Sequence, residues 1–386
     1  MELNFNNTEV TFQSKSNTEL QRAYWLFKLI GWKWLTGISP ILLKVFLPLK
    51  FPIPIVKHTI FKHFCGGETM QDCNVTIEKL AQHNVKTILD YSVEHQSENY
   101  QNTFDEAFLL IEKAKNDINI PFVVFKMTGF ISVPILVKMN TNDKLTEEEE
   151  VDYTNAIQQI KKLCQAANEA GIPIFFDAEE SWIQNAIDVI VLEMMKLFNT
   201  KNATVYNTIQ LYRKDMLQNL KTLIEIGTVE NFCVGVKLVR GAYVEKENDR
   251  ADLLGYASPI HYNKTNCDAD FNKALAYCIA HIDHVAVCCG THNEYSTILL
   301  TELMNDAHIL PNDPRIYFAQ LLGMSDHISF NLAAKGYNVV KYVPYGPVKD
   351  VLPYLIRRAQ ENTSISGQTS RELRLITQEL KRRKTK

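Results

Sequence analysis

The sequence predicts an α/β fold, a (β/α)8 barrel, and three observations predict it. Short runs rich in β-branched and aromatic residues occur eight times from about residue 84 onward. Segments of helical period separate them. Polar side chains gather at the carboxyl ends of the runs, which is where a barrel of this kind carries its active site. At 386 residues with 46% apolar content, the chain is long enough to form this fold around one core.

The eight predicted strands are almost continuously apolar, as expected of a parallel sheet that is buried on both faces. They cover residues 86–93, 121–127, 172–179, 203–210, 232–239, 285–293, 315–321 and 338–346. After the third strand, "SWIQNAIDVIVLEMMKLFN" places apolar residues at 183, 186, 187, 190, 191 and 194–195, which form one face of a helix. In the acidic run "KLTEEEEVDY", Thr146 and Glu149 fit a capping box, so we interpret the run as a helix start and not as a metal site.

Three regions are predicted along the chain: a helical segment at 1–83, the barrel at 84–364, and a tail helix at 365–386. The tail, which ends in "LKRRKTK", is interpreted as a solvated helix that frays. Residues 20–67 contain seven Lys or Arg and no Asp or Glu, together with three tryptophans. This composition is typical of a helix that lies in an anionic membrane interface. Packing against the outer ring of the barrel is the alternative.

Composition also limits the classes of function. The net charge of −3 argues against a nucleic-acid-binding protein. Eight cysteines without a CxxC pair indicate reduced thiols in a cytosolic compartment, with Cys288 and Cys289 in the core. The start "MELNFNNTEV" is unlike a secretory signal or an Arg-rich transit peptide, so we expect no export. Lysines interrupt residues 20–67 before any stretch reaches the roughly 18 uncharged residues of a spanning helix.

The polar residues at the predicted strand ends are mostly cations and amides. They are Lys126, Asp177, Glu179, Gln210, Lys237, Arg240, His292, Gln320 and Tyr342. With Arg357 and Arg358 added from the helix after the last strand, the barrel mouth suits an anionic substrate or cofactor. A metal among so many cations is electrostatically disfavoured. Spacing alone leaves hydride transfer, Schiff-base chemistry and a metal site open.

Six motifs in order and spacing make the sequence recognisable. They are "FDAE" (176–179), "KLVRGAY" (237–243), "THNE" (291–294), "YFAQLLGM" (317–324), "KYVPYGPV" (341–348) and "YLIRRAQEN" (354–362). From about residue 120 to 364 the chain resembles the proline dehydrogenase family. The resemblance implies a distorted (β/α)8 TIM barrel with FAD at its mouth. Part of that family has Arg-Leu-Val-Lys in the fifth strand; this chain has Lys237 and Arg240 in the opposite order, like the monofunctional, eukaryotic-like branch.

The resemblance also implies roles for individual residues. Arg357 and Arg358 would bind the proline carboxylate, and Glu361, at helical spacing from both, would hold the arginine pair in place. Lys126 would add a third cation to the carboxylate. Asp177 would organise these cations by ion pairing, and Tyr342 would pack on the proline ring. The implied flavin contacts are Gln210, Lys237, Arg240, Gly241, Thr291, His292 and Asn293.

The function implied by the resemblance is FAD-dependent oxidation of L-proline to Δ1-pyrroline-5-carboxylate, by hydride transfer from C5 to the flavin N5. This reaction is the first step of proline breakdown to glutamate. Tyr342 leaves no partner for a 4-hydroxyl group, so we expect proline to be preferred over hydroxyproline. Electrons are expected to pass to a membrane quinone, with the protein held peripherally on the cytoplasmic face of the inner membrane. Two alternatives are a Schiff-base lyase using Lys126 or Lys237 and a non-catalytic, anion-binding barrel.

Overall fold

The computed structural model describes residues 3–30, 57–92, 100–355 and 368–385. Eight strands follow one another in chain order around a closed barrel, which confirms the predicted fold class. They are β1 Val85–Tyr91, β2 Phe122–Lys126, β3 Ile174–Asp177, β4 Val205–Gln210, β5 Val234–Val239, β6 Val285–Gly290, β7 Ile316–Leu321 and β8 Val339–Tyr345. Each strand coincides with one of the predicted runs, which extend beyond most strand ends by one to three residues.

Apart from the helical residues 348–355, fourteen α-helices precede, connect or follow these strands in the described residues. They are α1 Thr8–Thr11, α2 Asn17–Ile30, α3 Lys62–Phe64, α4 Asn74–Ala81, α5 Tyr100–Lys115, α6 Val133–Thr141, α7 Glu147–Ala170, α8 Ser181–Phe198, α9 Met216–Glu230, α10 Val244–Leu254, α11 Lys264–Ala280, α12 Glu294–Asp306, α13 Asp326–Ala333 and α14 Gln368–Thr385. Lys57–Phe61 form a π-helical turn, Met127–Gly129 form a 3-10 turn, and residues 348–355 are helical.

Local predictions about individual helices are confirmed. All seven apolar positions predicted to share one face of α8 are buried. At the start of α7, Thr146 and Glu149 form the capping box, so the acidic run begins a helix. All eight cysteines are free thiols, and Cys288 and Cys289 are fully buried. These features depend on residues a few positions apart, which is why a sequence pattern reveals them.

Strand pairing fixes which side chains end at the same level of the barrel. β2 and β3 are parallel and place Lys126 opposite Asp177. β4 and β5 are parallel and place Thr208 opposite Lys237. Because parallel strands share a direction, the polar residues at their carboxyl ends lie at one end of the barrel.

The chain divides into two compact units, Gln96–Ala319 (the central unit) and Met1–His95 with Gln320–Lys386 (the terminal unit). In the central unit, aromatic rings fill the barrel below the strand ends. Phe122 stacks on Phe175 with ring centroids 4.4 Å apart and meets Tyr317 edge-on at 4.7 Å. β2 and β7 are not neighbouring strands, so the second contact crosses the barrel interior. These rings form an aromatic floor under the carboxyl ends of the strands.

In the terminal unit, the two ends of the chain pack on each other. Leu20, Ala23 and Phe27 of α2 form one cluster with Leu375 and Ile376 of α14. The tail is helical as predicted, but the prediction that it is solvated is wrong. Both of its core residues are fully buried or nearly so.

The error has a physical reason in the charges of α14. Its basic end suggested a helix surrounded by water, yet Glu379 has a fully buried side chain and pairs with Arg382 at 2.8 Å and Arg383 at 2.7 Å. Burial opposes ionisation of Glu379, but the hydrogen bonds from these arginines outweigh it and lower the pKa to about 2. The pairing neutralises charge inside the helix and lets its apolar stripe pack against α2.

A buried carboxylate joins three further segments of the terminal unit. Asp326, at the start of α13, lies 2.9 Å from Lys341 of β8 and 2.6 Å from Lys15. Lys341 is fully buried and also donates to the Met324 carbonyl at 2.5 Å. Burial raises the pKa of Asp326, but the charges of the two lysines outweigh it and hold the pKa well below its usual range. Asp326 is therefore ionised, and its folded-state charge stabilises the protein above the pKa of an unfolded carboxyl group.

We expect Asp326→Asn to lower the free energy of unfolding by about 3 to 5 kcal/mol at pH 7, because it leaves a buried lysine without its counter-charge. The loss should shrink as the pH falls below about 4, where an unfolded carboxyl group binds its proton. Urea unfolding of both proteins across this pH range measures it. Glu230→Gln removes an exposed ion pair with Lys196 and serves as the control, with an expected cost under about 1 kcal/mol. Equal costs for the two substitutions would contradict the interpretation.

Candidate active site

A buried ion pair lies at the carboxyl ends of β3 and β5. Lys237 Nζ contacts Asp177 Oδ1, and the side chains of the two residues are 6% and 19% exposed. The ammonium group also lies 5.6 Å from the ring centroid of Phe175 in the aromatic floor. The pair therefore places the Lys237 ammonium group above an apolar layer. The carboxylate that holds it comes from β3, two strands away in the barrel.

Arg240 follows β5 and is held by four groups. Its Nε donates to Asp268 Oδ1 at 2.6 Å, Nη1 donates to Thr291 Oγ1 at 2.7 Å, and Nη2 donates to Ser296 Oγ at 3.0 Å. The guanidinium carbon lies 4.3 Å from the ring centroid of Phe271. A planar fork with fixed donors fits this arrangement, which a lysine would not reproduce. Arg240 is thus a fixed cation at the barrel mouth.

The carboxylate beside Arg240 is ionised. Partial burial opposes the charge of Asp268, but hydrogen bonds from Lys264 and Arg240 outweigh it and lower the pKa of the carboxyl group. Asp268 therefore neutralises part of the cationic charge and keeps the guanidinium in one orientation.

The predicted cofactor residues after β5 and β6 come together around Arg240. Gly241 has φ +134°, a conformation that L side chains rarely adopt, and a Cβ there would overlap the ring of Tyr212. Thr291 Oγ1 accepts a hydrogen bond from the Asn293 backbone N–H at 3.1 Å. Asn293 also caps α12, because its side-chain oxygen accepts from the Ser296 N–H at 3.0 Å. His292, between Thr291 and Asn293, is partly exposed.

Glu179 connects the ends of β2, β3 and β4. Its carboxylate accepts from the Thr128 N–H at 3.0 Å and from Thr128 Oγ1 at 2.6 Å. Its backbone carbonyl accepts from Gln210 Nε2 at 3.0 Å. Burial raises the pKa of Glu179, and the two bonds from Thr128 partly offset this effect. The residue therefore fixes the turn after Lys126 and the side chain of Gln210.

The side chain of Gln210 has one buried polar atom that can accept a hydrogen bond from a ligand. Its Oε1 is buried and has no hydrogen-bond partner among the described residues. An unpaired buried acceptor costs about 1 to 3 kcal/mol, so such atoms are uncommon unless a ligand or water completes them. Its place at the end of β4 is at the barrel mouth.

The remaining predicted residues are placed as follows. Lys126 ends β2 in register with Asp177. Tyr342 lies on β8 in the terminal unit, is 7% exposed, and its carbonyl accepts from the Leu322 N–H at 2.8 Å. Arg357, Arg358 and Glu361 lie outside the described residues. In the ranges that the structure describes, no group of three or more His, Cys, Asp or Glu is arranged to hold a metal ion.

Sequence reasoning missed several residues that hold the predicted ones. Asp268 and Ser296 orient Arg240 from helices α11 and α12, and Thr128 orients Glu179. Asp177 is predicted to pair with Lys126 and the substrate arginines; the ion pair that the structure shows for Asp177 is with Lys237. The only sequence signal for Asp268 and Ser296 is a polar residue in the first turns of a helix, and it is weak.

Comparison with known proteins decides the family. The family model described as proline dehydrogenase matches residues 73–371.

The chain belongs to the proline dehydrogenase family.

Three similar proteins can be aligned with most of this chain. Mitochondrial proline dehydrogenase 1 of Dictyostelium discoideum is 30% identical over 98% of this chain and 74% of its own length. The human protein of the same name is 42% identical over 62% of this chain, which is 40% of its own length. The carbapenem antibiotics biosynthesis protein CarD of Pectobacterium carotovorum is 34% identical over 83% of both chains.

Solved structures agree on the fold. Proline utilization A from Bdellovibrio bacteriovorus, in a form inactivated by N-propargylglycine, superimposes with a TM-score of 0.70 at 20% identity. The superposition covers 80% of this family member but only 33% of that longer chain. At this identity the likeness supports the barrel fold of the proline dehydrogenase family.

A double-mutant cycle tests the Lys237–Asp177 pair in this proline dehydrogenase family member. Asp177→Asn is expected to cost about 3 kcal/mol of unfolding free energy, because it leaves the Lys237 cation buried without its carboxylate. The double variant Asp177→Asn/Lys237→Met should cost less than the sum of the single changes. Urea unfolding of the four proteins measures the coupling. Strictly additive costs would show that the two side chains do not stabilise each other.

Proposed function

We propose that this chain oxidises L-proline to Δ1-pyrroline-5-carboxylate with bound FAD. The observation that carries the proposal is the pair of cations at the carboxyl end of β5, Lys237 held by Asp177 and Arg240 held by Asp268 and Thr291. They occupy the positions of the family's fifth-strand motif in a chain that the family model matches from 73 to 371. Fixed cations at the mouth of such a barrel suit an anionic cofactor and substrate.

The residues present fit a flavin nucleotide. Gln210 offers a buried acceptor without a partner, which an N–H group of an isoalloxazine ring would satisfy. Lys237 and Arg240 would supply donors for carbonyl and phosphate oxygens. Gly241 packs directly on the ring of Tyr212 beside Arg240, where a side chain would clash. Thr291, His292 and Asn293 follow β6 beside Arg240 and would contact the same group. When bound, FAD supplies the hydride acceptor for proline C5.

The chain's own residues would bind and orient proline. Arg357 and Arg358 would offer a pair of planar donors to the carboxylate, with Glu361 to preorganise them. Lys126, at the end of β2, would add a third cation to the carboxylate. Loss of hydride from C5 places positive charge on the ring nitrogen and C5, so the amine must be neutral beforehand. Asp177 would stabilise that charge through its position at the mouth while keeping Lys237 in place.

Tyr342 supports selectivity for proline. Its side chain is almost fully buried on β8, so a ring packed against it would find no water for a 4-hydroxyl group. An unpaired hydroxyl in an apolar contact weakens binding, so hydroxyproline should be the poorer substrate.

A membrane quinone is the proposed electron acceptor, with the protein attached peripherally to the cytoplasmic face of the inner membrane. The composition of residues 20–67 supports this proposal, since it combines seven cations with no acid. Trp25 on α2 is 58% exposed, although Ala23 and Phe27 on the same helix are buried. Over the described ranges, no helix combines the length and hydrophobicity needed to cross a membrane. Residues 31–56 lie outside those ranges.

The purified protein is expected to carry non-covalent FAD whose visible absorbance is bleached by proline under anaerobic conditions. Bleaching follows from hydride transfer to a flavin at the barrel mouth, and a spectrophotometer records it directly. A short-chain quinone should then restore the oxidised spectrum. Gln210→Met provides an internal test, because loss of the unpaired acceptor should weaken FAD retention on dialysis.

Other outcomes distinguish the alternatives. A colourless protein that forms a borohydride-trapped adduct at Lys126 or Lys237 would indicate a Schiff-base lyase. A spectrum that stays oxidised at saturating proline would refute the proposed reaction. A protein that binds anions without either chemistry would be a non-catalytic barrel.

Arg357→Met and Arg358→Met are each expected to raise the KM for proline by about a hundredfold, because each removes a charge-assisted contact to the carboxylate. Steady-state kinetics with a quinone acceptor measures the change. Arg371→Met is the control: Arg371 donates to Asn6 at 2.8 Å within the terminal unit, and its loss should leave KM unchanged. An unchanged KM in both test variants would assign the two arginines to the protein surface.

A further inference from the structure

The contact between α2 and α14 leaves an open groove on its solvent side. The buried cluster of Leu20, Phe27 and Leu375 joins the helices on one side. Beyond it, side chains from both helices line a groove of about 500 Å³. Its walls combine an aromatic ring from Tyr24 and an aliphatic side chain from Leu373 with several polar groups. The groove belongs entirely to the terminal unit and contains no residue of the proposed proline site.

The groove is strongly cationic. Lys28 from α2 and Arg374 and Lys381 from α14 line it, and all three are exposed. The residues lining it include no Asp or Glu. The acidic residues of α14 are used elsewhere: Glu379 pairs with two arginines, and Glu372 accepts from the Ser325 N–H at 2.7 Å. Three cations therefore face the groove without an acidic residue in its lining.

The rim of the groove has the chemistry of a membrane interface. Lys28 Nζ lies 4.9 Å from the ring centroid of Trp25 and 5.7 Å from that of Tyr24. Trp and Tyr beside Lys and Arg are typical of protein segments that lie at the level of the lipid headgroups. The chain continues from α2 into residues 31–56, which contain three lysines and no acid. A second lipid-attracting sequence therefore follows directly from one wall of the groove.

We propose that this groove binds the phosphate-bearing headgroup of an anionic phospholipid. Arg374 and Lys381 offer charge-assisted hydrogen bonds to the phosphate oxygens, with Lys28 on the opposite wall. Tyr24 and Leu373 cover the glycerol and the start of an acyl chain. The apolar wall and the exposed tryptophan favour a lipid over a free phosphate, which would need neither. The inference rests on the proposed membrane attachment and assigns half of it to the C-terminal helix.

The test compares two triple variants of the full-length, flavin-loaded protein. Lys28→Gln/Arg374→Gln/Lys381→Gln removes the groove's charge, and Lys144→Gln/Lys161→Gln/Lys162→Gln removes the same charge from exposed lysines of the central unit. Sedimentation with phosphatidylcholine vesicles, with and without phosphatidylserine, measures binding. The groove variant should bind phosphatidylserine vesicles at least about tenfold more weakly, since each cation near an anionic surface strengthens binding severalfold. The control variant should bind like the unmodified protein.

Further measurements distinguish a lipid headgroup from free phosphate and control for misfolding. Arg374→Lys/Lys381→Arg keeps the charge and should retain vesicle binding. Equal binding by the unmodified protein and the groove variant, or equal loss in the control, would overturn the proposal. Inorganic phosphate that binds the unmodified protein in the absence of any vesicle binding would also overturn it. Bleaching of the flavin by proline should be the same in all variants, and its absence throughout would refute the proposed reaction while leaving the vesicle result valid.

Discussion

The candidate site depends on one constraint: in a parallel barrel, every strand ends on the same side. Charged residues at those ends occupy a small volume, and a charge removed from water needs a partner there. Asp177 supplies it for Lys237, and Asp268 supplies it for Arg240. The cations are thereby held in place before any ligand arrives, which lowers the cost of ordering them when an anion binds. The same ion pairs therefore stabilise the barrel and position the cations of the candidate site.

Much of the fold could be predicted because its signals are local. A buried strand can be recognised from an apolar run of about four to eight residues, and an amphipathic helix from the spacing of its apolar residues over a few turns. The strands from β1 to β8, the buried face of α8 and the capping box of α7 all follow from such short patterns. The cations and amides at the strand ends were also visible, since their positions relative to each apolar run are fixed by the chain itself.

The partners of these residues could not be predicted in the same way. Asp177 and Lys237 are 60 residues apart, Arg240 and Asp268 are 28 apart, and Lys15 and Asp326 are 311 apart. No periodicity connects such pairs, and many acidic residues could have served equally. The tail helix was misjudged for a related reason. Its apolar stripe is narrow, and the contacts that tie its basic end to the protein, from Arg383 to the carbonyl oxygens of Phe12 and Lys15, join residues 371 and 368 positions apart.

The contact between α2 and α14 has a consequence for how the protein is made. A ribosome produces α2 among the first residues and α14 among the last of this chain, so the apolar face of α2 lacks its partner while the whole barrel is being synthesised. Arg383 also binds the carbonyl oxygens of Phe12 and Lys15, both at 2.8 Å, and these bonds can form only after that residue leaves the exit tunnel. Exposed apolar surface on a nascent chain attracts chaperones and promotes aggregation. The apolar face of α2 therefore lacks its cover while the barrel is being synthesised, and docking of α2 on α14 would be a late step of folding.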